Sequence, residues 1–422
     1  MTSDGWRPTR LSVVSWATYD LANTIFSLGV GALYFAEWLT DNAGDLPRWV
    51  GRDGSADLAL ALAINAAMVV VIVLGPWIGA RSDHRGRRIP YLLPATILAV
   101  VPTFFLASFP IVASLALFSV ALIGFNLASV IYDALLPDVS TPETIGKVSG
   151  FGIGVGYLGS FIAVAVGALF LDRLGYPGVF KIVAVLFFLL ALPTFLFVRE
   201  RPRPRLEGPP PSLRSSARRL VAAWQLARRY RGVARFLVGR FLYTDAVNTL
   251  IGGFLTIYVI EELGFSSGQV QVLLLLAIVG ALAGGFLGGL VVDRDGPRRT
   301  LHRVLHLWMA AMALGIVAGA FQIQALIWGL GIFGGLALGA LWAADRVYMQ
   351  RISPPEHLGE LFGLYATVGR FATIVGPLLW GLIVTVAGLP REVALGVLLA
   401  FLVASRFVLH SVDDEPREWA LR

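Results

Sequence analysis

Residues 19–24 read YDLANT, within the apolar run LSVVSWATYDLANTIFSLGVGALYFAEWL of residues 11–39, and residues 243–249 read YTDAVNT within a second such run. Both runs exceed the roughly 20 apolar residues needed to cross a hydrocarbon core of about 30 Å. Each aspartate lies about nine residues into its run, or about 13 Å along a helix rising ~1.5 Å per residue, which is mid-membrane. An ionised aspartate there costs about 2.5–3.5 kcal/mol on insertion scales, so it must face water or a partner. Asp20, Asn23 and Thr24 are spaced i, i+3 and i+4 and share one helix face, with Trp16 one turn earlier. Asp245, Asn248 and Thr249 repeat that spacing, with Tyr243 just before them. Such a polar face would be odd once; twice, it points to a duplicated element.

The rest of the chain is built alike. Of 422 residues, 57% are hydrophobic and only 14% charged, against about a quarter charged in soluble domains. Apolar runs recur at about 11–39, 57–80, 90–109, 111–135, 148–171, 179–198, 236–260, 268–292, 301–320, 324–347, 360–388 and 391–410, each close to a crossing length of ~20 residues. They predict an all-α membrane protein with twelve transmembrane helices. The start, MTSDGWRPTR, enters the first run with no small-residue cleavage site, so that run is expected to persist as a helix. Cysteine is absent, which excludes disulfides and thiolate metal sites.

The net charge of +7 is interpreted by its placement. With twelve crossings, 28 of the 34 Lys and Arg fall on the side of the termini, 12 of them at 199–240. Five fall opposite (Arg48, Arg52, Arg173, Lys181 and Arg391), and Arg370 alone lies near the middle of a run. This is the positive-inside pattern: both termini are expected in the cytoplasm, and the basic excess reflects topology and not nucleic-acid binding. Between the halves, RERPRPRLEGPPPSLRSSARRLVAAWQLARRYRGVAR (199–235) is Pro-rich and extended at its front. Its back, about 212–230, reads as an amphipathic helix suited to an anionic membrane surface, a merely solvated basic linker being the alternative.

The two halves match at three places in the same order. DLANT answers DAVNT; GPWIGARSDHRGRR (75–88) answers GFLGGLVVDRDGPRR (285–299); PETIGKVSG (142–150) answers PEHLGELFG (355–363). Repeats of this kind predict two pseudo-symmetric six-helix bundles, residues 1–198 and 236–422, joined by the linker 199–235.

With these motifs, the chain resembles the major facilitator superfamily over nearly its whole length, GPWIGARSDHRGRR being similar to the superfamily's loop between the second and third helices. YDLANTIFS and LPDVSTPETIGKVSGFGIGVGYLGS resemble, more narrowly, the autophagy-related vacuolar amino-acid effluxers and their prokaryotic relatives. The resemblance implies export of small solutes, with amino acids the best-known class, from a central cavity lined by the first and seventh helices. It also implies a gate: Asp83, Arg87 and Arg88, with Asp293, Arg298 and Arg299, form a breakable latch in which an arginine pairs with an acidic residue near the end of the fourth span, Asp133 or Asp138. Drug exporters of the superfamily usually carry a Gly-Pro element in the fifth helix. Here the fifth span has glycines (150, 152, 154, 156 and 159) but no proline, and Gly376-Pro377 kinks the eleventh span instead.

Arg370, about nine residues into its span, is the expected partner of the aspartates at that depth. Asp20, Asn23, Asp245, Asn248 and Arg370, with Trp16 and Tyr243 shaping the site, are the candidates for solute binding or proton coupling; a permanent ion pair that only fixes packing is the competing use. Gly150/Gly154 and Gly152/Gly156 have the small-xxx-small spacing of closely packed helices. His302 and His306 have metal-pair spacing but no third ligand nearby, and are expected to be interfacial. Asn65, Asn126 and Tyr157 are second-tier lining residues, and the loop carrying Asp41, Asp45, Asp53 and Asp57 is expected to be solvated. No phosphate-binding loop, nucleophile elbow or metalloprotease helix is present, which disfavours an ATP-driven pump or an enzyme. The reading is a secondary transporter of a small polar solute in a prokaryotic inner membrane, with no cofactor, no obligatory protein partner and proton coupling left open. A proton-coupled exporter of amphiphilic drugs and a non-transporting sensor of the same fold are the alternatives.

Overall fold

The computed structural model describes residues 7–48, 55–141, 144–201, 211–354 and 357–413, and among them every regular element is helical. Expectations resting on Pro142, Glu143, Pro355 and Glu356, on Arg52 and Asp53, and on the linker front at 202–210 lie outside the described residues. Helix α1 spans 10–41 as Arg10–Phe26, a π-helical stretch Ser27–Tyr34, and Phe35–Asp41. It is followed by α2 (Asp57–Arg85), α3 (Ile89–Phe105) and α4 (Ile111–Ala134). The helical stretch Ile145–Phe197 is broken at Gly175, whose φ of 63° and ψ of −178° suit glycine alone, giving α5 (145–174) and α6 (176–197).

The linker helix α7 is Leu213–Arg229, close to the amphipathic segment expected there. Beyond it, α8 spans 233–261 as Val233–Thr249, a π-helical stretch Leu250–Phe254, and Leu255–Glu261. Then come α9 (Ser267–Asp295), α10 (Pro297–Ala320) and α11 (Gln324–Ile352). Helix α12 covers 358–386 in pieces, Leu358–Phe371, Val375–Gly381 and a π-helical Leu382–Val386, and α13 is Arg391–His410. Leaving α7 aside, twelve apolar helices are present among the described residues, six before the linker and six after it.

Local chemistry sets the ends. Thr9 caps α1 by accepting the Ser12 amide at 3.2 Å, and Ser266 with Gln269 forms a reciprocal capping box at the start of α9. The duplicated loops between α2 and α3 and between α9 and α10 each turn on a glycine with positive φ, 68° at Gly86 and 83° at Gly296. The π-helical stretch of α8 follows DAVNT directly and that of α1 follows DLANT after an interval of two residues, so the duplication extends to an uncommon backbone feature. Many large apolar side chains remain on the surface, such as Val69, Val73, Leu169, Phe286 and Phe407; Phe407 is 74% exposed, which water would penalise and a bilayer accepts.

The helices form two compact units. The first runs to Leu46 and from Ala66 to Ala217; the second holds Pro47–Asn65 and everything from Arg218. In the first, α1 packs along the helices of 145–197 and α3 along α4. In the second, α9 and α10 each pack on α11, and α8 lies against α13.

Candidate functional site

In the first unit, the polar face of α1 packs on the glycine face of α5. A Cβ on Gly152 would lie 2.5 Å from the Trp16 ring, and one on Gly156 would lie 2.8 Å from Asp20 Oδ2. Gly150 and Gly154 meet nothing, so of the two small-residue pairs only Gly152/Gly156 makes the close approach. Trp16 is buried and stacks on Tyr132 of α4, with ring centroids 4.9 Å apart; the Tyr132 hydroxyl donates back to the Trp16 carbonyl at 3.1 Å. Asn23 is buried, and its Oδ1 has no hydrogen-bond partner. Thr24 donates its hydroxyl to the Asp20 carbonyl at 3.0 Å. Asp20 itself is half-buried, and no hydrogen bond or ion pair to its carboxylate occurs among the described residues.

The duplicate in the second unit behaves differently. Helix α12 breaks after Phe371 and resumes at Val375, and the α8 motif binds the backbone groups this break releases. The Gly376 amide donates to Asp245 Oδ2 at 2.6 Å, and Asn248 Nδ2 donates to the Ala372 carbonyl at 3.1 Å. Asp245 is fully buried, and its Oδ1 has no hydrogen-bond partner. The partner Asp245 takes is this backbone amide, and the expected Arg370–Asp245 ion pair does not occur among the described residues. Arg370 is half-buried at the end of the first α12 segment, where its carbonyl accepts the Thr373 hydroxyl at 2.7 Å.

At the α2–α3 loop, Arg88 bridges two carboxylates, Asp83 and Asp138, each at 3.1 Å. Of the two acidic candidates near the end of α4, Asp138 is the one it reaches; Asp138 is fully buried and Asp133 is exposed. Arg87 is exposed and Asp293 is exposed. Arg298, the counterpart of Arg88, donates to the His410 carbonyl at the end of α13, at 2.7 Å. The halves diverge here because the residue answering Asp138 in the second repeat is Arg351.

Two buried ionic clusters were not anticipated. In the second unit, Arg240 (5% exposed) donates from Nε to Asp345 Oδ2 at 3.0 Å and lies 3.6 Å from the Tyr365 ring centroid. Tyr243 donates to the same Asp345 oxygen at 2.9 Å, and Tyr365 donates to the other. Tyr243 is thus part of an ion-pair cluster. An aspartate within the apolar α11 was the signal that would have found Asp345; Arg240 was hidden in the basic run of 199–240. The second cluster corrects the expected solvation of Asp57, which is fully buried. Arg391 at the start of α13 contacts Asp57 at 2.8 Å and Glu262 at 2.9 Å, and Trp380 Nε1 donates to Asp57 at 2.6 Å. Each of these charges opens or closes a helix and reads in sequence as a solvated boundary.

With this geometry in place, comparison with known proteins identifies the lineage. The profile of the family described as vacuole effluxer Atg22 like matches residues 56–417. The chain belongs to that Atg22-like family. Among its relatives, the MFS-type transporter YxiO of Bacillus subtilis (strain 168) is 26% identical over 403 residues, 92% of each chain. Autophagy-related protein 22 of Yarrowia lipolytica is 25% identical over 273 residues, 56% of this chain and 45% of the fungal one. Among solved structures, the nucleoside transporter NupG aligns with a TM-score of 0.72 at 13% identity, over 94% of this chain and 99% of that one. A bacterial homologue of the human lysosomal transporter Spinster, inward-facing and unoccupied, aligns at 0.68 and 16% identity, over 95% and 96%. These establish the major facilitator fold, and the Atg22-like chain is a multi-pass membrane transporter of the MFS type.

Proposed function

We propose that this Atg22-like transporter moves a small polar solute, with amino acids as its class, by alternating access in a prokaryotic inner membrane, and that Asp20 is the carboxylate that meets the solute or its coupled proton. The observation that carries this reading is the contrast within the duplicated motif. Asp245 is buried and bound to the α12 backbone, whereas Asp20, at the same register, is half-buried with no hydrogen bond or ion pair to its carboxylate among the described residues. A membrane-embedded carboxylate kept without a partner costs stability that only a use for it explains. Asn23, with its unbonded Oδ1, would join Asp20, and Arg370 of the second unit is a separate candidate for the solute. Trp16, stacked on Tyr132, packs behind Asp20, while Asn248 and Asp245 keep the α12 break in register. The family's effluxer description and its autophagy-related relatives support a small solute moving outward.

The gate in this reading is Arg88 between Asp83 and Asp138. The Asp83 carboxylate is 58% exposed, so its pairing is worth about 0–1 kcal/mol and can break in each cycle. Asp138, fully buried, would keep Arg88 anchored while Asp83 leaves. Both termini facing the cytoplasm follows from the placement of Lys and Arg.

The test is a thermal-shift screen of purified protein against amino acids, sugars, nucleosides and amphiphilic cations. An amino acid that raises the melting temperature of wild type, with the shift lost in Asp20→Asn and Arg370→Ala, is the expected result. A shift confined to amphiphilic cations would replace this reading with that of a drug exporter.

A further inference from the structure

We propose that the protein carries a binding site for the phosphate headgroup of an anionic phospholipid, in a cavity between the α2–α3 loop and the end of α6. The cavity has a volume of about 550 Å³, and Arg85, Arg87, Arg199 and Arg201 line it together with Glu200 and, on its apolar wall, Phe195. Its charge balance is decided by what the acids nearby are doing. Glu200 accepts the backbone amides of Arg88 and Ile89, the latter at 3.2 Å, so its carboxylate caps the start of α3. Asp83 and Asp138 are held by Arg88, and the second oxygen of Asp138 accepts the Arg201 amide at 3.1 Å. Arg85, Arg87 and Arg199, by contrast, make no side-chain hydrogen bond or ion pair among the described residues.

Three exposed guanidinium groups with no partner among the described residues thus line one concavity, from two helix ends more than a hundred residues apart in sequence. Their planar forks match the oxygens of a phosphate ester and can bind it bidentately. A free phosphate and a lipid headgroup share that chemistry, and the surroundings favour the lipid. Leu196 and Phe197, the residues of α6 next to the cavity, are 63% and 45% exposed, so a surface suited to acyl chains begins where the arginines end. Basic pockets among helix ends on the side of a membrane protein rich in Lys and Arg suit anionic headgroups. The ordinary alternative is a set of solvated topology-setting arginines, which would attract anionic lipid by charge alone, at no particular position.

The experiment measures the melting temperature of detergent-solubilised protein with phosphatidylglycerol, with phosphatidylcholine, or with inorganic phosphate. The Arg85→Gln/Arg199→Gln variant is compared with Arg294→Gln/Arg299→Gln, which removes the same charge from the duplicated loop of the second unit. Phosphatidylglycerol is expected to raise the wild-type midpoint. The cavity variant should lose more than half of that shift, the control variant should keep it, and phosphatidylcholine and phosphate should have little effect. Arg85→Lys/Arg199→Lys, which keeps the charge and guards against a folding defect, should recover part of the shift. Equal loss in both Gln variants would reduce the effect to bulk charge, and an equal response to inorganic phosphate would make the site one for a soluble anion. The absence of any phosphatidylglycerol shift in wild type would overturn it as well.

Discussion

Arg391 holds the largest concentration of charge in the described residues, facing Asp57, Glu262 and, at 3.7 Å, Glu261. Asp57 is out of contact with solvent, so removing its cation leaves a buried charge uncompensated, a change that costs about 3–5 kcal/mol where it has been measured. Arg391→Ala should therefore lower unfolding stability by about that amount in detergent, and Asp57→Asn combined with Arg391→Met should regain most of it. A loss under about 1 kcal/mol in the single variant would mean the cluster is solvated after all. The same logic separates two aspartates of matching sequence character. Asp345 is fully buried between Arg240, Tyr243 and Tyr365, and Asp133 is exposed, so Asp345→Asn should destabilise far more than Asp133→Asn in the same unfolding measurement. Neither cluster could be read from the chain. The Arg391–Asp57 partners are 334 residues apart and the Arg240–Asp345 partners 105, and of the four charges only Asp345, inside the apolar α11, stands out when taken singly.

The α1–α5 contact shows how far sequence spacing goes. The small-residue pattern correctly indicated a close helix approach, but two interleaved pairs had that spacing, and only the face toward α1 distinguishes them. Gly152→Ala should therefore cost about 1–3 kcal/mol through overpacking against Trp16, whereas Gly154→Ala, in open space, should be neutral or slightly stabilising. Thermal unfolding of the two variants side by side decides it, and equal effects would contradict the packing described. Helix α12 gives a second case. Gly376-Pro377 announced a kink, and the break appears upstream, at 372–374. A proline clashes with the carbonyl four residues earlier and has no N–H to offer it, so Pro377 disrupts the helix near Thr373. What the sequence could not reveal is that Asp245 and Asn248 would take up the freed amide and carbonyl, which gives half of the duplicated polar motif a structural task. The DLANT–DAVNT repeat was legible as a repeat; the difference in partners between its copies was not, because it depends on what a third helix does.

Across the whole chain, twelve apolar helices and the duplication were legible because hydrophobic length and motif order survive without knowledge of contacts, and the family match accords with them. Topology was read from charge alone and can be measured directly. The native chain has no cysteine, so Asp45→Cys and Arg299→Cys each introduce one reactive thiol on a clean background. An impermeant maleimide added to intact cells should label Asp45→Cys and spare Arg299→Cys until the membrane is opened; the reverse pattern would invert the orientation. The central claim, that Asp20 works in transport while its duplicate Asp245 supports structure, is tested most directly by flux. Wild type, Asp20→Asn and Asp245→Asn would be reconstituted in liposomes at equal amounts of folded protein, and counterflow measured with the amino acid that gives the largest melting shift. The account predicts that Asp20→Asn keeps or raises the wild-type melting temperature and loses at least about tenfold in flux, while Asp245→Asn is first of all less stable. Undiminished counterflow through a well-folded Asp20→Asn protein would contradict it.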